Sequence, residues 1–248
     1  MSDASAPLSS SGGGLRAAIG LLTVCGGAAD LHPRAPVWYG LVGAALGGVL
    51  GGVWWLTGEL FPPFVAALVV VSLDAGLTGM LHLDGLADTA DGLLPPIPRP
   101  RRLAIMRGPE VGAFGVVVLV LALTARVVAL GSIPVTPLLL VGLWALSRGA
   151  MAATALAAPY ARSGEGMGAS LSQRRACLGG ALIGGVIGTV ALALVGRAGA
   201  AALVGALLAA VGTVVLARRR LGGYTGDVLG AVGVLTETVG LLAATINR

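Results

Sequence analysis

The chain has 248 residues, 56% of them hydrophobic and 11% charged, whereas ordinary soluble domains are roughly a quarter charged. So little charge cannot cover a water-facing surface, which excludes a soluble globular domain. All 16 basic residues are Arg and the net charge is +5; most of them lie between apolar blocks, as in the loops of a membrane protein, so no nucleic-acid partner is expected.

Residues 1–14 are rich in Ser and Gly and are expected to be disordered. Arg16 then precedes an apolar run, 17–29, that is too short to span. It reads as an interfacial or re-entrant segment, in preference to a signal-peptide core or a lipoprotein cleavage site at LTVCGG. Residues 1–35 form this N-terminal segment, and 36–248 a single membrane-embedded domain. Spanning helices are expected near 36–57, 61–81, 111–131, 136–157, 176–196, 198–217 and 227–246. The fold class is all-α: a polytopic integral membrane bundle of about seven transmembrane helices.

The connections alternate in charge. One holds Arg99, Arg101, Arg102 and Arg107, another Arg162, Arg174 and Arg175, and a third Arg218, Arg219 and Arg220. The intervening ones, Thr57–Glu59, Gly131–Pro137 and Gly196–Ala198, hold only Arg197. Seven spans put the three Arg-rich loops on one side, which the positive-inside rule makes cytoplasmic, in a cytoplasmic (inner) membrane. The spacings Gly47/Gly51, Gly48/Gly52 and Gly184/Gly188 read as helix-packing faces. Cys25 and Cys177 are expected to be free thiols.

Four of the 11 acidic residues fall between 74 and 91: Asp74, Asp84, Asp88 and Asp91. The last three, in HLDGLADTADG, are spaced i, i+4, i+7 and on a helix share a stripe within about 60°. Three carboxylates on one stripe repel unless a cation sits among them, and all-oxygen ligation favours Mg2+. In LGGYTGDVLG, Asp227 follows a flexible turn and either completes a metal site or caps the next helix. Glu237, deep in that helix, is either the partner of a buried Arg or a ligand. Arg126 is placed to snorkel from the outer end of its helix. Arg148 is mid-helix, where an ion pair and phosphate binding are equally good accounts. PYARSGEGMGAS combines Arg162 with Gly164, Gly166 and Gly168, a chemistry suited to phosphate. Carboxylates for a metal, several Arg and two Gly-rich turns on one face point to a membrane-embedded phosphotransferase.

At these motifs the chain resembles the cobalamin synthase, or adenosylcobinamide-GDP ribazoletransferase, family. The matching pieces are TGMLHLDGLADTADG, RRLAIMRG, SRGA, PYARSGEGMG and GGYTGDVLGA, in the family's order across 78–246. The resemblance implies that adenosylcobinamide-GDP and α-ribazole, or its phosphate, are joined to give adenosylcobalamin, or its phosphate, with release of GMP. It implies Mg2+ held by Asp84, Asp88, Asp91 and Asp227, with Asp84 the essential residue. It gives His82 a bond to a phosphate or ring, against a packing role at the helix entry. It implies substrate contacts from Arg102, Arg107, Arg148, Arg162, Gly166, Gly168, Thr225 and Glu237. The chain departs from the family pattern at Gly108–Glu110, at Val234 in place of the first of two glutamates, and at LLTVCGG. A homo-oligomer is left open.

Two other readings compete. A CDP-alcohol phosphotransferase making phospholipid also uses aspartates and Mg2+, but its Asp-Gly signature continues with an Ala-Arg pair where this chain has Leu86-Ala87-Asp88. A cation transporter would place its acidic site near the midplane between internal repeats, and no repeat is evident.

Overall fold

A computed structural model describes residues 11–27, 32–162 and 173–246. Among these, ten α-helices carry the fold: α1 (Ser11–Leu22), α2 (Tyr39–Leu60), α3 (Pro63–Leu77), α4 (Leu81–Leu93), α5 (Arg99–Ile105), α6 (Ala113–Ser132), α7 (Pro137–Ala157), α8 (Arg174–Val195), α9 (Arg197–Leu221) and α10 (Gly226–Ala244). The described residues contain no strand, only an isolated bridge between Tyr160 and Tyr224.

Among the described residues, six helices are long and apolar enough to cross a bilayer: Ala35–Leu60, α6, α7, α8, α9 and α10. The seventh expected span is not one straight helix over 61–81. The stretch holds the pair α3 and α4, bent by 88°, which reaches the length and hydropathy of a span only when the two are taken together. The break is a Schellman closure: Met80 N–H donates to Ala75 O and Gly79 N–H to Gly76 O. Gly79 and Met80 both have positive φ, 58° and 59°, and Met80 is the non-glycine exception to a conformation that L side chains resist. The break thus satisfies its own carbonyls within an apolar setting, as membrane burial demands.

Of residues 1–14, expected to be disordered, Ser11–Gly14 are instead the first turn of the helix α1; the expected run 17–29 continues that helix to Leu22 and then forms a 3₁₀ turn at Val24–Gly26, with residues 28 and 29 outside the described ones. At 12 residues α1 is about 18 Å long and cannot span. It docks into the bundle, and its Ala17, Ala18 and Leu22 share one apolar cluster with Tyr39, Met151 and Tyr224.

α7 and α10 are the interior helices, with 72% of their apolar windows buried, against 28% for α6 and α8. The large exposed side chains of α6, α8 and α9, such as Val120, Leu182 and Leu208, form the lipid-facing surface. Small residues let the backbones approach. Gly43, Gly47 and Gly51 of α2 lie against the α7 backbone, and Gly184 and Gly188 of α8 against its other side. Gly48 and Gly52 face open space instead. The expected packing role therefore holds for two of the three glycine pairs.

The apolar interior is divided along the helices. One cluster lies toward the Arg-rich end, with Tyr39, Met151, Val228 and Val232. The other lies toward the opposite end, with Leu50, Leu140, Leu143 and Leu241. Between them, at Ser147 and Arg148 of α7 and at Glu237 and Thr238 of α10, is a buried polar layer.

Candidate active site at the Arg-rich end

The Arg-rich loops meet at one end of the bundle because they are tied together through backbone carbonyls. Arg99 donates from Nε to Leu221 O (2.6 Å) and from Nη2 to Ala161 O (2.8 Å). Ala161 N–H donates to Tyr224 O (2.8 Å) and Tyr224 N–H to Pro159 O (2.9 Å). The Tyr160 and Tyr224 rings meet edge to face, 5.5 Å between centroids. Burial first, then Cys177 and Tyr160, pushes the Tyr224 phenol up to about 12, so it stays neutral as a packing group. This zipper of PYAR against GGYT sets Arg162 beside Asp227, with Nη2 2.7 Å from Oδ2.

Asp227 does not cap α10. Thr225 is the N-cap: its Oγ1 accepts from Val228 N–H (3.3 Å) and donates to Asp227 Oδ2 (3.1 Å). Thr225, expected to touch substrate, is fully buried in that role. The Asp227 carboxyl, half-buried, is left to face α4.

α4 runs antiparallel to α10 along a glycine-lined seam. A Cβ on Gly85 would come 2.8 Å from Asp227 O, and one on Gly230 would come 3.2 Å from the His82 backbone. The stripe expected on α4 is present, with burial graded along it: Asp84 is exposed, Asp88 half-buried and Asp91 buried. Asp227, Asp84 and Asp91 all act electrostatically on Asp88, opposed by Arg162. The Asp84 and Asp88 carboxylates accept no hydrogen bond from any described residue.

Asp91 has other partners. Its oxygens accept Gly112 N–H (2.7 Å) and Gly115 N–H (3.0 Å), which are orphan amides of the α6 N-terminus. The available carboxylate oxygens are therefore those of Asp84 and Asp88 and the Oδ1 of Asp227, whose Oδ2 is taken by Arg162 and Thr225. Among the described residues no three acidic, His or Cys side chains converge into a ready cage. That donor set fits Mg2+ in its usual protein setting, where one or two carboxylates act with water and substrate phosphates.

The arginines divide into ties and lining groups. Arg102 is buried, and its Nη1 donates to Gly92 O (2.8 Å) and Leu93 O (3.0 Å), closing the C-terminus of α4. Arg107 is exposed and, with Arg99 and Arg162, lines a cavity of about 290 Å³. Arg162 also donates to Met106 O (3.0 Å). Gly166 and Gly168 lie outside the described residues.

Three expected residues are not at this face. His82 is buried, its Nδ1 has no described partner, and it lies about 160° around α4 from Asp84. Arg148 and Glu237 belong to the buried polar layer. Glu237 accepts from Arg148 Nη1 (2.6 Å), Ser147 Oγ (2.7 Å) and Arg126 Nη2 (2.6 Å). Arg126 does not snorkel: it is 2% exposed, pairs with Asp74 at 2.8 Å, and also donates to Thr238 Oγ1 (2.8 Å) and Val234 O (3.0 Å). Trp144 Nε1 holds the other Asp74 oxygen at 2.9 Å. Two arginines thus face two carboxylates, a neutral set that suits a dry interior. No site role is expected from the sequence for Asp74, Ser147 or Arg99, although Asp74 is a charge inside an apolar run, Ser147 opens the SRGA piece and Arg99 lies in an Arg-rich connection.

A family model described as cobalamin-5-phosphate synthase matches residues 14–245. A Roseiflexus (strain RS-1) protein named adenosylcobinamide-GDP ribazoletransferase is 34% identical over 181 residues, 66% of this chain and 65% of its own. Proteins of the same name from Deinococcus radiodurans (46% identical, 38% of this chain and 36% of the relative) and Thermosynechococcus vestitus (43%, 42% and 45%) match shorter stretches. The matched stretches thus span between 36% and 65% of these relatives' lengths. No solved structure matches the chain. With the family match running from α1 to the last helix, the chain belongs to the cobalamin-5-phosphate synthase family.

Proposed function

We propose that the protein joins adenosylcobinamide-GDP to α-ribazole, or to its phosphate, releasing GMP. The observation that carries this reading is the seam where Asp84, Asp88 and Asp227 share one face with Arg162 and the Arg107-lined cavity. The names of the relatives supply the substrates. The ribazole hydroxyl oxygen attacks the phosphorus attached to cobinamide. The new P–O bond forms as the bond from that phosphorus to the GMP oxygen breaks, and GMP leaves with the electron pair.

Asp84, exposed and without a described hydrogen bond, accepts the hydroxyl proton. Asp84, Asp88 and Asp227 are the residues that would hold Mg2+, which when bound neutralises phosphoryl oxygens. Arg107 and Arg162 bind diphosphate oxygens from the cavity side. Arg162 reaches them from its position on Asp227, so the ion pair sets its angle of approach. Asp91, Arg102 and Thr225 hold α6, α4 and α10 in place around the seam and do not touch substrate.

The face lies in the cytoplasm of a cell whose inner membrane the bundle crosses. This follows from the positive-inside rule, because the loops bearing Arg99–Arg107, Arg174–Arg175 and Arg218–Arg220 belong to this end. The test is GMP release from adenosylcobinamide-GDP and α-ribazole by protein in lipid, with and without Mg2+, beside Asp84→Asn. Metal-dependent release coupled to cobalamin formation, lost in the variant, is expected. Full turnover in Asp84→Asn would remove Asp84 from the reaction.

A further inference from the structure

A groove of about 430 Å³ runs between α7, α8 and α9, on the side of the bundle lined by neither the carboxylate seam nor the Arg107 cavity. Its walls are small or apolar, including Gly149 and Ala153 of α7 and Ala181 and Gly185 of α8. The Thr154 hydroxyl is already used by Ala150 O at 2.8 Å. The other polar lining group among the described residues is Arg218, exposed in the last turn of α9. It has no ion pair among the described residues.

Two further features place positive charge at this mouth. α9 has 25 residues, so it is about 37 Å long against a hydrocarbon core of about 30 Å. Its last turn, with Arg218, Arg219 and Arg220, therefore reaches the headgroup level. On α8, Arg174 precedes Ala181 by seven residues, two turns along the same face toward the same end. An apolar slot open to lipid and ending under arginines from two helices has the shape and charge of an anionic phospholipid.

We propose that this groove binds one anionic phospholipid, one of its two acyl chains between α7, α8 and α9 and its phosphate on Arg218, with Arg174 adding to the field. Basic pockets between transmembrane helices at the cytoplasmic side are suited to such headgroups. The site is separate from the reaction proposed above and does not depend on it.

The experiment uses full-length protein in nanodiscs of equal phosphatidylglycerol and phosphatidylcholine, released and weighed by native mass spectrometry. One tightly retained phosphatidylglycerol is expected, enriched over phosphatidylcholine. Arg218→Gln should lower that enrichment about fivefold, the usual share of one arginine near a charged surface. Gly185→Leu should empty the groove of both lipids, since a Cβ there meets nothing within 4 Å and the larger side chain would fill the slot. Gly48→Leu, at an equally open site on α2, should leave retention unchanged. Equal retention of the two lipids, or enrichment unchanged in Arg218→Gln, would overturn the proposal whether or not Gly185→Leu folds. So would a dimer that Gly185→Leu converts to monomer with lipid retention unaltered, because a second copy would then fill the groove.

Discussion

Arg162 and Asp227, 65 residues apart in the chain, meet at 2.7 Å across the junction of the α7–α8 loop with α10. Their side chains are 20% and 21% exposed, and pairs that reach water contribute little to stability, about 0–1 kcal/mol. Their importance is positional. Arg162→Gln and Asp227→Asn should each lower kcat strongly while moving the thermal midpoint little. The double variant should lose less activity than the two single losses multiplied together, because both act on one geometry. Independent, multiplicative losses in steady-state kinetics would separate the two residues.

The interior polar layer behaves in the opposite way. Glu237 is 1% exposed and bonded to Arg126, Arg148 and Ser147. Removing its charge leaves two buried guanidinium groups facing one remaining carboxylate, Asp74. Glu237→Gln should therefore cost about 3–5 kcal/mol, the usual penalty for breaking a buried pair. Unfolding in mild detergent measures it. An unchanged midpoint would mean that water reaches this layer.

These two pairs mark how far the sequence was readable. Helix number and class were legible because about 20 apolar residues per span is a local property, as was the α4 stripe, which needs only helical periodicity. The α3–α4 break was not: it depends on Gly79 and Met80 taking positive φ together, and nothing in TGML demands that of a methionine. Arg126 was misread because snorkelling or pairing is decided by a carboxylate 52 residues away, Asp74. Asp91 shares a stripe with Asp84, yet whether its oxygens are open depends on Gly112 and Gly115, which lie in another helix. Local pattern supplied candidate groups, and tertiary contacts divided them into ties and open donors.

That division separates two aspartates seven residues apart. Asp91→Asn loses the carboxylate that accepts two α6 amides and should destabilise the protein by about 1–2 kcal/mol, with activity falling only in step with the folded fraction. Asp84→Asn, at an exposed position with no described hydrogen bond, should keep the wild-type midpoint and lose turnover. Thermal unfolding paired with GMP release distinguishes the two, and the reverse assignment would follow if Asp91→Asn were stable and inactive.

The seam between α4 and α10 makes the final prediction. A methyl group on Gly85 would sit 2.8 Å from Asp227 O, closer than van der Waals contact permits, and the obstacle is backbone, which cannot rotate away. Gly85→Ala must push the N-terminus of α10 from α4, carrying Asp227 away from Asp84 and Asp88. Overpacking of this kind costs about 1–3 kcal/mol, and activity should fall further than stability because the carboxylate spacing changes. Gly52→Ala, in open space on α2, should be neutral or slightly stabilising, since alanine is the better helix former by about 1 kcal/mol. Equal activity in the two variants would show that the chemistry does not need α4 and α10 in contact at this point.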